Sequence, residues 1–289
     1  MTHAFEMINV EKSYADFHLG PLNLHLEPGT VLGYIGPNGS GKTTTMHCLV
    51  GLVKAEAGEM RIHGQPNDPN KTEWKLNIGY VGDQHVFYEN WSAAKNLKFL
   101  SQFYPDWSND LMLNLVKRFK LPMDKKAKAL SSGNRVKLSV ISALSHSPKV
   151  LLLDEPTAGL DPVVRAELLD VLFDVLESGE RAIFYSTHIL SDISRLADEL
   201  VFLNDGQIIQ RSEKDDLVDQ WRQITCQLAN SDIALEAAIE IVCDGKDFKI
   251  ISSNGEVTLK QLRELGASKI TESRLSINEI AVYILKQAS

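Results

Sequence analysis

Apolar and polar residues alternate in three early stretches, FEMINV at 5–10, LNLHLE at 22–27 and TVLGYIG at 30–36. A period of two predicts strands, and Pro28-Gly29 supplies the turn between the last two. A glycine-rich loop follows Gly36, after which TTTMHCLVGLV reads as a helix. From about 85 to 148 the period lengthens. Apolar positions recur at helical spacing in AAKNLKFLSQFY and DLMLNLVKRFKL, with breaks at PDWSND and PMDKK, so a mostly helical insert is predicted. Strand and helix then alternate again. KVLLLDE (149–155) is a strand, PVVRAELLDVLFDVLESG (162–179) a helix, RAIFYSTH (181–188) a strand and ILSDISRLADEL a helix. A hairpin follows at 200–211, LVFLNDGQIIQR, with Asp205-Gly206 as a strong turn signal. Continuous apolar strands alternating with amphipathic helices imply an α/β fold around a mostly parallel sheet covered on both faces.

The composition turns charged at 212–220, SEKDDLVDQ, which divides the chain into an expected main domain, 1–211, and an accessory domain, 212–289. The accessory domain reads as α+β. Strands are predicted at QITCQLA and DFKIISS, and helices at IALEAAIEIV (233–242) and TLKQLRELG. A capping box, Ser276 with Glu279 three residues on, announces a last helix. With no glycine-rich loop and no convergent titratable set, this part is expected to be a packing or dimerisation appendage.

Charge and composition narrow the function classes. A formal net charge of −8 argues against a nucleic-acid footprint, which needs a basic face. The basic cluster from Lys117 to Lys128 reads as a solvated surface. No apolar run approaches the roughly 20 residues that cross a bilayer, and MTHAFEMINV lacks the features of a signal peptide. Three cysteines form no framework, and the eight histidines do not cluster in sequence, so no structural zinc is expected. A cytoplasmic chain follows from these readings.

The chemistry concentrates in two places. GPNGSGKT, Gly36 to Thr43, fits G-x-x-x-x-G-K-[ST] between a strand and a helix. Gly36, Gly39 and Gly41 let successive N–H groups curl inward into an anion nest, and the helix adds its N-terminal dipole. Lys42 can supply a point charge to the β- and γ-phosphates, and the Thr43 hydroxyl can ligate Mg²⁺. VLLLDEP then places Asp154 and Glu155 at the end of a buried strand, where open α/β sheets build their sites. Asp154 suits the Mg²⁺ carboxylate, and Glu155 can orient or deprotonate an attacking water.

From about residue 5 to 210, the ordered motifs resemble those of the nucleotide-binding subunits of ABC transporters. GPNGSGKTT, which includes Asn38, Ser40 and Thr44, resembles the Walker A segment, and VLLLDEP the Walker B segment. YVGDQ, ending at Gln84, resembles the Q-loop, AGLD, ending at Asp161, the D-loop, and STH, ending at His188, the H-switch. Tyr14 resembles the aromatic that stacks on adenine. The resemblance implies a P-loop NTPase core with an antiparallel β subdomain and a helical subdomain. It implies ATP and Mg²⁺ as ligands, with Gln84 reaching the metal and Glu155 and His188 acting in hydrolysis. It also implies head-to-tail pairing, in which Asp161 lines the seam and the signature segment serves the opposite subunit. That segment is LSSGN at 130–134, with Ser132 and Asn134 where the family pattern LSGGQ has glycine and glutamine. Ser131 and Gly133 retain the hydroxyl and the N–H that a γ-phosphate needs. A serine at 132 costs something only at positive φ.

The expected function is therefore an ATPase subunit that powers a separate membrane permease. LSQFYPDWS and the short C-terminal extension point by resemblance to exporters of the ABC-2 type, for a peptide, antibiotic or other toxic cargo. A homodimer in the ATP state is expected, with a heterodimer as the alternative for the altered signature. The expected location is the inner face of the membrane, through the permease. The competing reading is a soluble ATPase of the same kind that acts on a cytosolic complex.

Overall fold

The computed structural model describes residues 2–177, 181–229 and 233–287. Two compact units divide the chain, Met1–Ile209 and Gln210–Ser289. In the first unit, β1 (Phe5–Tyr14) and β2 (Phe17–Leu26) form a long hairpin, followed by β3 (Val31–Ile35), α1 (Lys42–Leu49), β4 (Ala57–Ile62), β5 (Gln65–Pro66) and β6 (Ile78–Val81). The helical insert holds α2 (Ala93–Leu100), α3 (Asn109–Phe119) and α4 (Ser132–Leu144). Then come β7 (Val150–Asp154), α5 (Pro162–Glu177), β8 (Ala182–Thr187), α6 (Leu190–Leu196), β9 (Glu199–Asn204) and β10 (Gln207–Glu213).

Two sheets sandwich the core. The antiparallel sheet has the order β2-β1-β4-β5, and the larger one β10-β9-β3-β8-β7-β6. Strands β3, β7 and β8 are buried at every residue, as a sheet covered on both faces demands. Pairing is parallel for β9-β3, β3-β8, β8-β7 and β7-β6, so these strands end along one edge. Alternation on the hairpin points Phe5, Met7, Leu22, Leu24 and Leu26 inward, against Tyr34, Phe184 and Val150.

The helix read over 189–200 stops at Leu196, and Glu199 and Leu200 already belong to β9. Pairing of Leu200 with Gly33 of β3 outcompetes helix propensity there. Strands β4, β5 and β6 were not foreseen. The first two lie mostly exposed and so lack an apolar period, and β6 is only four residues long.

The second unit contains α7 (Lys214–Gln220), β11 (Arg222–Gln227), β12 (Ala238–Asp244), β13 (Asp247–Ser252), α8 (Gly255–Glu264), β14 (Ser268–Arg274) and α9 (Ile277–Gln287). Its sheet runs β12-β13-β11-β14, all antiparallel. The helix expected at 233–242 is absent. Residues 233–237 are loop and turn, and from Ala238 the chain is β12, which pairs with β13 through a two-residue loop, Gly245-Lys246, with Gly245 at φ 64°. Glycine at the first loop position favours a hairpin whose twist suits the strands, and Ile239, Ile241 and Val242 favour extended backbone. The capping box forms as read: the Glu279 amide donates to Ser276 Oγ at 3.3 Å, and the Ser276 amide to Glu279 Oε2 at 2.9 Å.

One buried histidine makes the first unit sensitive to acid. His146 stacks on Tyr104, with ring centroids 4.0 Å apart, and its Nε2 donates to the Ile78 carbonyl at 2.9 Å. Burial holds its pKa below the ordinary 6.5. The unfolded chain therefore takes up a proton below about pH 6.5 that the folded unit resists, and stability falls as pH drops through that range. Chemical denaturation between pH 7.5 and 5 should show this loss, and His146→Gln should reduce it, the part left by His85, whose pKa burial also lowers, remaining.

Candidate functional site

The shared edge of β3, β8, β7 and β6 collects the predicted residues. The loop from Gly36 to Gly41 leaves β3 and opens α1, whose N-cap, Gly41, has φ 109° and no side-chain cap. Only glycine fits there. A Cβ would lie 2.7 Å from Leu19 Cδ1 and 2.9 Å from Phe17 Cζ, besides the strained backbone. The first turn of α1 holds no acidic residue, so its N–H groups and Lys42 give the loop a positive character. Lys42 is buried, its Nζ donating to the carbonyls of Gly36 at 2.8 Å and Pro37 at 3.1 Å.

Across the edge, Glu155 bridges two bases. Its Oε1 lies 3.5 Å from Lys42 Nζ, an ion-pair distance outside hydrogen-bond geometry. Its Oε2 lies 2.8 Å from His188 Nδ1 and accepts the His188 amide at 3.3 Å. Glu155 itself has φ 49°, a left-handed conformation that costs a non-glycine residue about 1–3 kcal/mol. Asp154 is fully buried. One oxygen accepts the Ser186 hydroxyl at 2.5 Å, and the other, Oδ2, has no hydrogen-bond partner. Burial, with the charges of Asp154 and Asp83, pushes the Tyr80 phenol far above its ordinary pKa.

A cavity of about 370 Å³ lies over the loop, lined by Asn38, Gly39, Gly41, Lys42, Thr43, Thr44, Asp83, Glu155 and Phe17. Tyr14 stands outside that lining. It pairs with Phe17 at the tip of the β1–β2 hairpin, half exposed, with Lys12 Nζ 5.4 Å from its ring centre. Gln84 lies in a neighbouring groove of about 690 Å³, which also includes Thr43, Asp83, His85, Phe87 and Tyr104.

Ser131 and Gly133 sit at the start of α4, where Ser131 is the N-cap and its Oγ accepts the Asn134 amide at 3.3 Å. Ser132 is the first helical residue and its φ is not positive, so its Cβ carries no backbone penalty. Asp161 caps α5 by accepting the amides of Val163 and Val164, each at 3.0 Å. Gly133 packs on Val164, so the two motif segments lie side by side.

A buried network, missed in the sequence, ties the Glu155 turn to the His188 turn. Asp192, 1% exposed, accepts Thr157 Oγ1 at 2.5 Å and Tyr185 OH at 3.2 Å, and the Arg165 guanidinium at 2.6 Å. Thr157 follows Glu155 by two positions, and Asp192 follows His188 by four. The polar start of α6 was the one sequence signal for Asp192. Nothing local links it to Thr157, 35 residues away.

The family model for ABC transporters matches residues 19–158. The chain is 35% identical to the lantibiotic transport ATP-binding protein SrtF of Streptococcus pyogenes over 214 residues, 72% of this chain and 90% of that one. It is 31% identical to the bacitracin transport ATP-binding protein BcrA of Bacillus licheniformis, over 70% of this chain and 67% of that one. The fold is similar to that of a dimeric ATP-binding cassette solved with ADP and Pi, with a TM-score of 0.66 and 24% identity over 72% and 98% of the two chains. The chain belongs to the ABC transporter family, as an ATP-binding, ATP-hydrolysing subunit.

Asp192→Asn keeps the volume and removes the charge that orders both turns. Its expected effect is a fall in ATP turnover of about 10²-fold, the scale of a misplaced reacting group. Binding of ATP, measured by calorimetry, should stay near the wild-type value.

Proposed function

We propose that the chain is the motor subunit of an exporter, coupled to a separate membrane permease, with a peptide antibiotic or similar toxic compound as cargo. The observation that carries the reading is the convergence of Lys42, Glu155 and His188 on the open loop at the sheet edge. The cargo class rests on the names of the bacitracin and lantibiotic relatives. Among the described residues no helix is long and apolar enough to cross a membrane, which fits a conduit supplied by a partner. The motor then works at the inner face of the membrane, held there by that partner.

Each residue takes a role that its surroundings support. Backbone N–H groups from Asn38 to Thr44 and the Lys42 ammonium bind the phosphates, with the Gly36-Pro37 turn and the Asn38 and Ser40 segments shaping the loop. The adenine stacks on Tyr14 at the hairpin tip, and Phe17 packs beside the loop at Gly41. Glu155 orients the attacking water and takes its proton, and His188 holds Glu155 and the γ-phosphate.

The buried, unpartnered Oδ2 of Asp154 fits a hard cation, since an acceptor left open beside the phosphate loop is otherwise costly. Asp154, Thr43 and Gln84 would hold Mg²⁺. Its charge would neutralise that developing on the phosphates.

Two chains pair head to tail, and Ser131, Ser132, Gly133 and Asp161 face the partner's nucleotide. The permease docks beside Gln84. There Tyr88 stacks on Trp91 at 4.2 Å, and Asn96 pins this turn through the Tyr88 amide at 3.0 Å. Tyr88 and Phe103 are more than half exposed, which leaves an aromatic edge for the permease.

The test is ATP turnover of the purified chain against its own concentration, beside Glu155→Gln. Turnover should rise more than linearly with protein, and the variant should lose about 10²–10⁴-fold while still dimerising with ATP. Linear turnover at every concentration would overturn self-pairing. An undiminished variant would overturn the role of Glu155.

A further inference from the structure

Outside the nucleotide site, the fold brings together three side chains that are far apart in sequence. His25 and Glu27 are two positions apart at the end of β2, and His3 lies just ahead of β1. Leu24 and Leu26 point into the core, so His25 and Glu27 share the outer face of the antiparallel sheet. The Ala4 amide donates to the Leu26 carbonyl at 2.7 Å, which locks the His3 segment against that strand end. The ligand atoms of His3, His25 and Glu27 all lie within 4.8 Å of one another, and the three side chains are half-buried.

The His3–Glu27 contact is close without being a hydrogen bond, and the three ligand atoms are near enough for one ion to gather them. His3 Nδ1 is 2.9 Å from Glu27 Oε1, yet it is buried and has no hydrogen-bond partner. The His3 and His25 rings meet at 4.7 Å between centroids, tilted by 40°. A tetrahedral Zn²⁺ with ligands at 2.0–2.1 Å spaces them about 3.3 Å apart, within reach of small side-chain rotations. Two imidazoles and one carboxylate suit a borderline cation and disfavour Mg²⁺ or Ca²⁺, which take oxygen ligands. Glu6 faces His25 across the strands and adds negative charge on the same face, offset by Arg61 opposite it, which bonds Glu59.

We propose that His3, His25 and Glu27 form a binding site for a zinc-class divalent cation, with water completing the coordination. Such an ion would cross-link the start of the chain to β2, and so brace the hairpin whose tip carries Tyr14 and Phe17. The site stands apart from the nucleotide chemistry and does not depend on the export reading.

The experiment uses the full chain, stripped with a chelator and then titrated with Zn²⁺ alone in millimolar Mg²⁺, which fills hard-cation sites. Calorimetry should find one equivalent bound, weakened at least tenfold in His3→Gln and in His25→Gln. His18→Gln, at the far end of β2, should bind as the wild type does. Zn²⁺ should also raise the melting temperature of the wild type and not that of the His3→Gln/His25→Gln double variant. Equal affinity in the wild type and the double variant, or no binding by the wild type, would overturn the site. Far-ultraviolet circular dichroism of each variant separates lost ligation from lost folding.

Discussion

Two acids follow one another at the end of a fully buried strand, and the first unit has to solve the problem this creates. An ionised carboxylate in a dry interior costs several kcal/mol unless charge or hydrogen bonds answer it. Asp154 stays buried and is answered on one oxygen by Ser186 from the next strand. Glu155 cannot be buried beside it as a second like charge. Its left-handed backbone turns the side chain out of the strand direction toward Lys42 and His188. That arrangement works only if β3 and β8 end beside β7, because the bases come from the residues that follow them. The parallel order β3-β8-β7 is thus an electrostatic requirement as much as a packing result.

Strain at Glu155 needs neighbours that over-determine it. The Glu155 amide is held by the Ser186 carbonyl at 3.0 Å, and its own carbonyl accepts the Ala158 amide at 3.1 Å. Two residues on, Thr157 is fixed by Asp192, which also takes Tyr185 and Arg165. A buried aspartate bonded to two hydroxyls and a guanidinium is fully answered, and such a network rigidifies what it joins. What it joins are the two turns that carry Glu155 and His188, and the start of α5, where Asp161 is the cap. Elsewhere Arg135 of α4 makes a bidentate pair with Glu89 at 2.8 Å on each arm, linking the start of α4 to the aromatic turn after Gln84.

What was legible in the sequence was local. The phosphate loop carries its whole physics in eight consecutive residues, and VLLLDEP shows a buried strand and its two terminal acids without help from elsewhere. The rhythm of β7, α5 and β8 was equally plain, since fully buried strands leave unbroken apolar runs. Exposure hid the rest. β4, β12 and β14 are edge or near-edge strands with few buried side chains, so no alternation marks them. IALEAAIEIV satisfied a helical period, and only the Gly-Lys loop after Asp244 spoke against it. The Asp192–Thr157 bond joins α6 to the turn after β7, and His3 meets His25 through the β1–β2 pairing; both bring together positions far apart in sequence, which the residue pattern does not display.

The altered LSSGN segment can be judged by where its side chains point. Ser132 is exposed at the first turn of a helix, where a serine has ordinary backbone and no neighbour to displace. Gly133 is buried, and a Cβ there would press on Val164 at 3.3 Å, tighter than normal contact. Within the unit, therefore, position 133 is tight against Val164 and position 132 is exposed. A substitution at 132 leaves fold and cap intact and can be felt only by a surface laid against the start of α4. The phosphate loop opens α1 and the altered segment opens α4, so a change at 132 lies on a different element from the loop residues.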